Sequence, residues 1–342
     1  ADSLRPTQHT EAGLCPEPMP EDRRKGKKER NTLENLSMAA AFLLVQENLF
    51  GHTAFVQQRT PGMRVADLTG SGRVQVVDSG LASDTFNKVL WNCGPDLRPF
   101  PHPGPRAVQP AASVAEAAAC LRAARDYLED AGRDFSNFPI WAGEAVSAPD
   151  SPLSLLEKAG YAAVETETAM ILRAEDMPAA LRTRPAHNGI DADGIMTRTT
   201  DRAGGLRIVR ATSPALLDAF ADVLAANWNP PDETVRVFFR RAAPCLLVPE
   251  SPMRLFVGLA GDVPVCCGEL FLSHGGRVAG LHMIATRAAF RRRGFGLAMS
   301  AALVAAAGDA PLAVLLASDE GEPVYRRLGF TTCGTFAECA EA

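Results

Sequence analysis

Apolar residues recur along the second half of the chain at two spacings, one typical of helices and one typical of strands. In residues 214–228, Leu217, Phe220 and Leu224 fall on one face of a helix, which predicts an amphipathic helix. Shorter apolar runs bounded by glycine, proline or charged residues predict strands. The predicted strands cover residues 206–210, 254–259, 263–272, 278–286, 312–317 and 330 onward, and further helices cover 234–241, 296–307 and 322–328.

The first half of the chain carries a less regular pattern of the same kind. A helix over residues 113–131 is indicated by a polar cap at Ser113 and by Gly132 beyond its end. The turn Thr69-Gly70-Ser71-Gly72 predicts a hairpin. Further helices are predicted over residues 33–49 and 152–158, and strands over 54–57, 63–68, 73–77, 138–142 and 162–172.

Two stretches lack this periodicity and divide the chain. Residues 1–32 hold several prolines and the basic run from Arg23 to Lys28 with few large apolar groups, so we expect a disordered polar and basic arm. Residues 174–205 are rich in Pro, Asp and Gly and are interpreted as a linker. The sequence therefore predicts two globular domains of the α/β class, at residues 33–173 and 206–342.

Composition narrows the class of protein. The 342 residues are 46% hydrophobic and 22% charged, and the formal net charge is −5. This balance disfavours a nucleic-acid partner, because phosphate contacts need a clustered basic surface. No apolar run approaches the roughly 18 residues of a membrane helix, and the first 30 residues lack the apolar core of a signal peptide. We therefore expect a cytoplasmic protein with no membrane partner.

The eight cysteines do not indicate a metal site. None of them forms a C-x-x-C pair, which disfavours a zinc knuckle or a thioredoxin-like motif. Cys266 and Cys267 are adjacent and would point to opposite faces of a strand, so at least one is expected to fill the core. We expect no bound metal.

A basic turn with glycines follows the predicted strand 278–286. It reads Arg291-Arg292-Arg293-Gly294-Phe295-Gly296 and leads into a predicted helix. Unpaired N–H groups and the positive end of the helix dipole favour an anion there, and glycines let a pyrophosphate approach the backbone. A plain solvated basic turn is the alternative, and neither of the best-known phosphate-loop patterns is present.

A second motif favours the anion site. Tyr325 is followed by Gly329 and Phe330, about thirty residues after the basic turn. Together, Arg291-x-x-Gly294-x-Gly296 and Tyr325-x-x-x-Gly329-Phe330 resemble motifs of the GNAT superfamily of N-acetyltransferases. The resemblance covers roughly residues 206–341. It implies a mixed, mostly antiparallel sheet flanked by helices, and acetyl-coenzyme A as cofactor.

The resemblance also implies roles for individual residues. The backbone amides of residues 292–296 would hold the pyrophosphate of coenzyme A, and Tyr325 would be the general acid that protonates the departing thiolate. Ser318 follows the next strand and would touch the cofactor, with a turn cap as the equally favoured alternative. The full set of cofactor-binding residues implied by the resemblance is Ile284, Ala285, Thr286, Arg291, Arg292, Arg293, Gly294, Phe295, Gly296 and Ser318.

The general base is less clearly marked. An amine that is charged at neutral pH must lose a proton before it attacks a thioester. Glu269 lies in a strand beside the cofactor strand and could take this proton directly or through a water molecule. Asp319, Glu320 and His282 are rivals, and an ordinary surface carboxylate is the favoured interpretation of any one of the acidic residues.

The first half resembles a degenerate second GNAT-like domain. Leu156-Glu157-Lys158-Ala159-Gly160-Tyr161 is similar to the later motif at Tyr325, but no R-x-x-G-x-G follows the strand at 138–142. We expect this half to have lost cofactor binding and to shape the acceptor pocket. Asp84, Phe86 and Asn87 are candidates for lining that pocket, and structural turn residues are the favoured reading of all three.

These observations predict a tandem GNAT N-acetyltransferase that transfers acetyl from acetyl-CoA to a primary amine of a small molecule. A protein or peptide N-acetyltransferase is the nearest alternative, and a non-catalytic acyl-CoA-binding regulatory protein is a second. A nucleic-acid-associated protein using the basic arm is a third. The last strand is expected to be short, which leaves open a neighbouring domain or subunit that completes the sheet. The sequence also leaves a homodimer open and does not name the amine.

Overall fold

The computed structural model describes residues 36–70, 73–92, 113–146, 152–178, 195–197 and 205–342, the segment 195–197 by its backbone alone. Within these residues twelve strands form one mixed, mostly antiparallel sheet. The order of strands across the sheet is β1-β2-β3-β4-β12-β5-β11-β10-β9-β8-β7-β6. The strands are β1 Arg64–Asp67, β2 Val74–Asp78, β3 Lys88–Trp91, β4 Ile140–Ala145, β5 Tyr161–Arg173, β6 Ile195–Thr197, β7 Leu206–Arg210, β8 Met253–Ala260, β9 Val263–Ser273, β10 Val278–Thr286, β11 Leu312–Ala317 and β12 Thr331–Glu341.

Seven α-helices in the described residues cover the sheet, and several begin at caps visible in the sequence. The hydroxyl of Ser113 accepts a hydrogen bond from the Glu116 amide, and the hydroxyls of Ser37 and Ser213 do the same at two other helix starts. The helices are α1 Met38–Phe55, α2 Val114–Asp130, α3 Pro152–Lys158, α4 Pro214–Ala225, α5 Glu233–Leu246, α6 Phe295–Ala306 and α7 Glu322–Arg327.

The sheet has two halves with the same order of elements. In the N-terminal half (α1 to β5), the hairpin β1–β2 leads to the parallel pair β3 and β4, joined by α2. In the C-terminal half (β7 to β12), the hairpin β8–β9 leads to the parallel pair β10 and β11, joined by α6. Each half then adds one short helix and one last strand. The N-terminal half is thus a structural repeat of the C-terminal half.

The two halves exchange their last strands. β12 lies between β4 and β5 and pairs antiparallel with both, so it extends the sheet of the N-terminal half. β5 pairs antiparallel with β11, so it extends the sheet of the C-terminal half. The exchange makes one uninterrupted sheet from two repeats. The expected domain boundaries at 173 and 206 remain a prediction, because the described residues 36–342 form a single compact unit.

The helices divide between the faces of the sheet. α1 packs with Phe42, Leu49 and Phe50 on the middle of one face, and α4 and α5 cover that same face near β8 and β9. α6 packs on the opposite face through Met299 and Leu303, and α2 and α3 cover the N-terminal half there. The adjacent cysteines point to opposite faces of the sheet. Cys266 packs on the face covered by α6, and Cys267 packs on the face covered by α4 and α5.

α1 approaches β10 closely because residue 280 is a glycine. A Cβ atom at Gly280 would lie 1.9 Å from Oδ1 of Asn48 on α1, a distance that real Cβ contacts do not reach. Asn48 is fully buried and donates hydrogen bonds to the carbonyl of Phe271 and to the hydroxyl of Ser273. The glycine therefore places α1 directly over the centre of the sheet.

Three sequence expectations in this part of the chain are corrected. The strand expected at 54–57 is the end of α1 and a turn, because Phe55 and Val56 continue the buried helical face. β3 was not predicted, since its four residues carry no alternation: all are buried, including Lys88. The last strand, expected to be short, is 11 residues long because it is buried between two neighbours.

Candidate active site

A cleft opens where β10 and β11 diverge. The two parallel strands pair only from Val278 to Gly280 on β10 and from Leu312 to Val314 on β11. Beyond these residues both strands continue, to Thr286 and Ala317, without pairing to each other. The backbone groups on this side of residues 281–286 are therefore available to an extended ligand, which fits the expected position of Ile284, Ala285 and Thr286.

A β-bulge distorts β10 at the cleft. The register with β9 shifts between His282 and Ala285, and Met283 adopts a φ of 49°. A left-handed conformation at a non-glycine residue costs on the order of 1–3 kcal/mol and is found most often at functional sites. A bulge of this kind bends a strand and interrupts its pairing with the neighbouring strand.

The basic turn forms a second strained segment at the mouth of the cleft. Arg292 has a φ of 64° and Gly294, the first residue before α6, has a φ of 86°. No side chain caps α6, and a Cβ atom at Gly294 would meet nothing within 4 Å. An open, uncapped helix start beside arginines suits a pyrophosphate.

Two of the three arginines brace this turn. The guanidinium of Arg291 donates to the carbonyl of Thr286 at 3.1 Å and to Oδ1 of Asn227 at 3.2 Å, so it ties the turn to the end of β10. Arg293 donates to the carbonyl of Ala289 at 3.2 Å. Arg291, Arg292 and Arg293 are exposed, and Gly296 is partly buried. Phe295, the first residue of α6, is buried in the core between this helix and the sheet.

Ser318 and Tyr325 meet on the β11 side of the cleft. A Cβ atom at Gly321 would lie 3.0 Å from the ring of Tyr325 and 3.4 Å from the hydroxyl of Ser318, so all three are neighbours. The Ser318 hydroxyl accepts a hydrogen bond from the Gly321 amide, as expected of a turn cap. Burial, and secondarily the negative charge of Glu167, raises the pKa of Tyr325 to about 12. Tyr325 therefore keeps its proton at neutral pH.

Glu269 lies deep on the α1 side, in direct contact with a histidine that the sequence did not single out. Its carboxylate is 1% exposed, and Oε1 lies 2.7 Å from Nε2 of His52 near the end of α1. This is ion-pair distance without hydrogen-bond geometry. Oε1 of Glu269 and Nδ1 of His52 are both buried without a hydrogen-bond partner. The pair offers a proton acceptor in a nearly dry setting.

His282 is bound to its neighbours in a different way. The amide nitrogen of Asn48 is used by Phe271 and Ser273, so its oxygen faces His282, and Nε2 of His282 donates to it at 2.9 Å. The ring of His282 also stacks on His52 with centroids 4.0 Å apart. Burial, followed by the influence of His52, holds the pKa of His282 well below its ordinary value. His282 is thus neutral, and its Nε2 proton is engaged.

The other two rivals for the base lie elsewhere. Asp319 and Glu320 follow β11 and are exposed to solvent. Glu269 is paired in register with His282 on the neighbouring strand. Of the four candidates, Glu269 and His282 are brought together in the interior, and the two acidic residues after β11 are not among the residues that line the cavity at Glu269.

The loop between β2 and β3 of the N-terminal half closes this cavity. Phe86 lines it and stacks on Phe238 with centroids 3.7 Å apart. Asn87 instead holds the loop: its oxygen accepts from the amide and hydroxyl of Ser79, and its nitrogen donates to the carbonyl of Leu81. Asp84 is exposed, and its carbonyl accepts from Lys88. Of the three pocket candidates in this loop, Phe86 lines the cavity.

Sequence reasoning missed His52, Lys88 and Trp141, which also line the cavity. His52 could have been noticed as a histidine within an apolar helix, next to Gly51. Lys88 and Trp141 carried no such signal, because each stands in a short buried strand. Their contribution depends on how the two halves of the sheet meet.

These features define a GNAT fold: a bulged strand that diverges from its parallel neighbour, followed by an arginine- and glycine-containing turn at a helix start. The chain matches a family model described as an acetyltransferase (GNAT) domain over residues 196–317. Residues 196–317 are therefore a GNAT acetyltransferase domain. No curated protein matches the chain.

Solved structures show that the fold extends beyond the matched domain. A GCN5-related N-acetyltransferase from Kribbella flavida is 16% identical, with a TM-score of 0.54 over 85% of this chain and 95% of that one. A functionally unknown conserved protein from Staphylococcus epidermidis is 12% identical, with a TM-score of 0.51 over 81% and 94% of the two chains. At this identity the likeness concerns the fold, and it covers both halves of the sheet.

None of the helices in the described ranges is long and apolar enough to cross a membrane. Within the same ranges no group of three or more His, Cys, Asp or Glu side chains is placed to hold a metal ion.

Proposed function

We propose that this protein is an acetyl-CoA-dependent N-acetyltransferase that acts on a primary amine of a small molecule. The observation that carries the proposal is the cleft itself. Around the diverging strands lie an uncapped helix start beside three arginines, an unpaired strand edge and a tyrosine that keeps its proton. A buried carboxylate, Glu269, lies on β9, the strand next to β10. Acetyl-CoA, when bound, supplies a thioester, whose acetyl group moves to the amine.

Each part of the cleft has a task in this proposal. The amides at the start of α6 and the arginines of the turn hold the pyrophosphate. The unpaired backbone of Ile284, Ala285 and Thr286 binds the extended arm of the cofactor. Ser318 borders the same space. These residues fit the group because the Gly294 position is open and the helix start has no side-chain cap.

Proton transfers complete the reaction. Glu269 accepts a proton from the ammonium group, directly or through a water molecule, and His52 orients the carboxylate. The amine nitrogen then forms a bond to the acetyl carbon while the carbon–sulfur bond breaks. The Tyr325 hydroxyl donates its proton to the leaving sulfur, because protonation of the thiolate assists its departure. The ammonium nitrogen loses two protons on the way to the amide. Glu269 takes the first and releases it to solvent, and the second, lost after the carbon–nitrogen bond forms, passes through water to the Tyr325 phenolate, so one proton is released per turnover.

Calorimetric titration with acetyl-CoA tests the cofactor site. We expect micromolar binding by the intact protein and its loss in Gly294→Asp, because a carboxylate at the helix start repels the pyrophosphate. Gly294→Asn is the matched control, since Asn has the same shape, tolerates positive φ and carries no charge. Gly308→Asp is a second control, because Gly308 also has positive φ and open space but lies beyond the other end of α6.

An acceptor screen that measures thiol release then tests the transfer. Thiol release with small amines supports the proposal. Acetylation of protein substrates alone would instead favour a protein acetyltransferase. Tight acetyl-CoA binding with no turnover on any amine would favour a regulatory acyl-CoA-binding protein.

A further inference from the structure

A second cleft lies at the turn between β9 and β10. Its volume is about 480 Å³, within the range of small-molecule sites, roughly 300–1,000 Å³. Among the described residues, none lines both this second cleft and the cavity at Glu269. The second cleft borders the turn before β10, whereas Thr286 and the basic turn lie at the other end of that strand. It is therefore separate from the proposed site of acetyl transfer.

A serine, a histidine and a glutamate form a chain of polar contacts in the wall of the second cleft. Nε2 of His274 lies 2.6 Å from Oε2 of Glu47, and Nδ1 of His274 lies 3.0 Å from the hydroxyl oxygen of Ser273. A carboxylate only accepts hydrogen bonds, so Nε2 carries the proton of the neutral ring and Nδ1 is an acceptor. The hydroxyl of Ser273 therefore donates to Nδ1, which is the contact by which a histidine activates a serine.

The surroundings of this chain favour the loss of the serine proton. The side chains of Glu47 and His274 are 8% and 17% exposed, so their contact is mostly shielded from water. The amide nitrogen of Asn48 donates to the hydroxyl oxygen of Ser273 at 2.8 Å, and a donor there stabilises negative charge on that oxygen. The two ring nitrogens have exchanged roles relative to the usual triad, in which Nε2 faces the serine.

The backbone at the histidine is strained. His274 has a φ of 53°, and Gly275 and Gly276 follow with 65° and 84°. A left-handed conformation at a non-glycine residue is found most often at functional sites. Both glycines line the second cleft, and a Cβ atom at either position would meet nothing within 4 Å. A bound molecule therefore has room beside the turn that follows Ser273.

The rest of the lining suits an uncharged ligand. Two acidic and two basic residues are among the described residues that border the second cleft, so their formal charges cancel: Glu47, Glu250, Arg59 and Arg254. Much of the remaining wall is apolar and includes Phe50, Ala54, Phe55 and Phe271. This combination favours a neutral molecule with an apolar part over a strongly charged one.

We propose that Ser273, His274 and Glu47 hydrolyse uncharged carboxylic esters with an apolar acyl group, independently of acetyl transfer. The Ser273 oxygen forms a bond to the acyl carbon while its proton passes to Nδ1 of His274, and Glu47 stabilises the imidazolium. The bond between the acyl carbon and the alcohol oxygen then breaks, and this oxygen takes the proton from Nδ1. A water molecule repeats the two steps on the acyl-serine, which releases the acid and restores the hydroxyl.

A fluorophosphonate probe tests the nucleophile in the unmodified full-length protein. The probe forms a covalent bond to an activated serine and releases fluoride. We expect one adduct, which peptide mass spectrometry places on Ser273, with the same yield when coenzyme A is present at saturation. No adduct, or adducts on other serines only, would overturn the proposal. Acetyl-CoA binding and transfer have no part in this measurement, so its outcome is independent of the transferase proposal.

Hydrolysis of p-nitrophenyl butyrate then tests the three residues. We expect kcat/KM to fall by at least about 10²-fold in Ser273→Ala and His274→Gln, and by about 10-fold in Glu47→Gln. Ser136→Ala is the matched control, because the exposed Ser136 hydroxyl also donates to a carboxylate, that of Asp134, at 2.8 Å, and does not line the second cleft. It should leave the rate unchanged.

Stability is measured on the same variants, because Ser273→Ala also removes the acceptor of Asn48. A folded Ser273→Ala variant that hydrolyses the ester as fast as the unmodified protein would show that the three residues only fasten the turn to α1. If this variant does not fold, Glu47→Gln and the position of the fluorophosphonate adduct on the unmodified protein decide between the two roles.

Discussion

The two proposed proton-transfer residues, Tyr325 and Glu269, are both buried, and each has its own neighbours. Tyr325 keeps its proton because burial and the nearby Glu167 disfavour its phenolate. Glu269 is placed beside His52, whose ring can stabilise a carboxylate that would otherwise be costly to bury. In the proposed reaction the acid and the base are therefore residues with different surroundings.

The role of Tyr325 is tested by Tyr325→Phe. This change removes the hydroxyl and keeps the ring that packs edge-on against Phe330. We expect kcat to fall by about 10²-fold or more because the leaving thiolate loses its proton donor, with an unchanged dissociation constant for acetyl-CoA. Steady-state kinetics and calorimetry measure the two quantities. A kcat close to that of the unmodified protein would remove Tyr325 from the mechanism.

Glu269→Gln tests the base in a complementary way. At neutral pH we expect kcat/KM to fall by about 10²-fold, because the ammonium group has no proton acceptor. The deficit should shrink as pH rises toward the pKa of the amine, since the free amine then no longer needs a base. A pH–rate profile of both proteins measures this. A deficit that stays constant across pH would indicate that Glu269 only positions other groups.

The raised pKa of Glu167 predicts how the free energy of unfolding depends on pH. Its pKa is raised from 4.5 to about 7, so the folded state holds a proton that the unfolded state has lost between these values. Stability should therefore decline as pH rises from about 4.5 to 7. We expect Glu167→Gln to remove this decline and to be more stable at pH 8 by on the order of 1–3 kcal/mol. Denaturant unfolding measures it, with the exposed Glu157→Gln as control.

At the scale of elements, local pattern predicted the C-terminal half well. β7, β10 and β11 have the bounds that their apolar runs predict, because each run ends at a clear break such as the charged residues at 287 and 319. The turn proposed to bind an anion was predicted from its glycines and arginines together with the later motif at Tyr325. β3 could not, since four consecutive buried residues give no period to recognise.

The contact between α1 and β10 yields a prediction at this scale. Gly280→Ala should force α1 away from the sheet, because the added methyl would overlap Oδ1 of Asn48. We expect a loss of about 1–3 kcal/mol in the free energy of unfolding, together with reduced activity from the displaced His52. Gly143→Ala would be a poorer control, since its added methyl group would overlap the ring of Phe336. Gly261→Ala, in an open hairpin turn, shows the cost of losing a glycine alone.

At the scale of the whole molecule, the arrangement of the halves could not be predicted from the sequence. The period of an apolar run shows that a strand is buried and does not show which strand lies beside it. The position of β12 between β4 and β5, and with it the placing of Glu338 beside Lys88 and Trp141, depends on pairings far apart in the chain. The cavity at Glu269 is composed of such long-range neighbours, and of the candidate residues named from the sequence only Phe86 and Glu269 line it.

The exchanged strands predict how the molecule unfolds. Since β5 and β12 each extend the sheet of the other half, neither half can lose its structure without disrupting the other. We expect one thermal transition for residues 36–342, with equal calorimetric and van't Hoff enthalpies. Two separated transitions in differential scanning calorimetry would show that the halves unfold independently. A variant lacking residues 331–342 should lose the structure of both halves and not of the C-terminal half alone.

The place of β12 also has a consequence for biosynthesis. A ribosome releases β4 and β5 long before residues 331–341, yet these two strands are not neighbours in the finished sheet, and a gap one strand wide must stay open between them. The nascent chain therefore carries two unpaired strand edges until almost all of it has been translated. Edges of this kind invite pairing with other chains. Translation speed and chaperone supply should accordingly govern the yield of this protein more strongly than its final stability does.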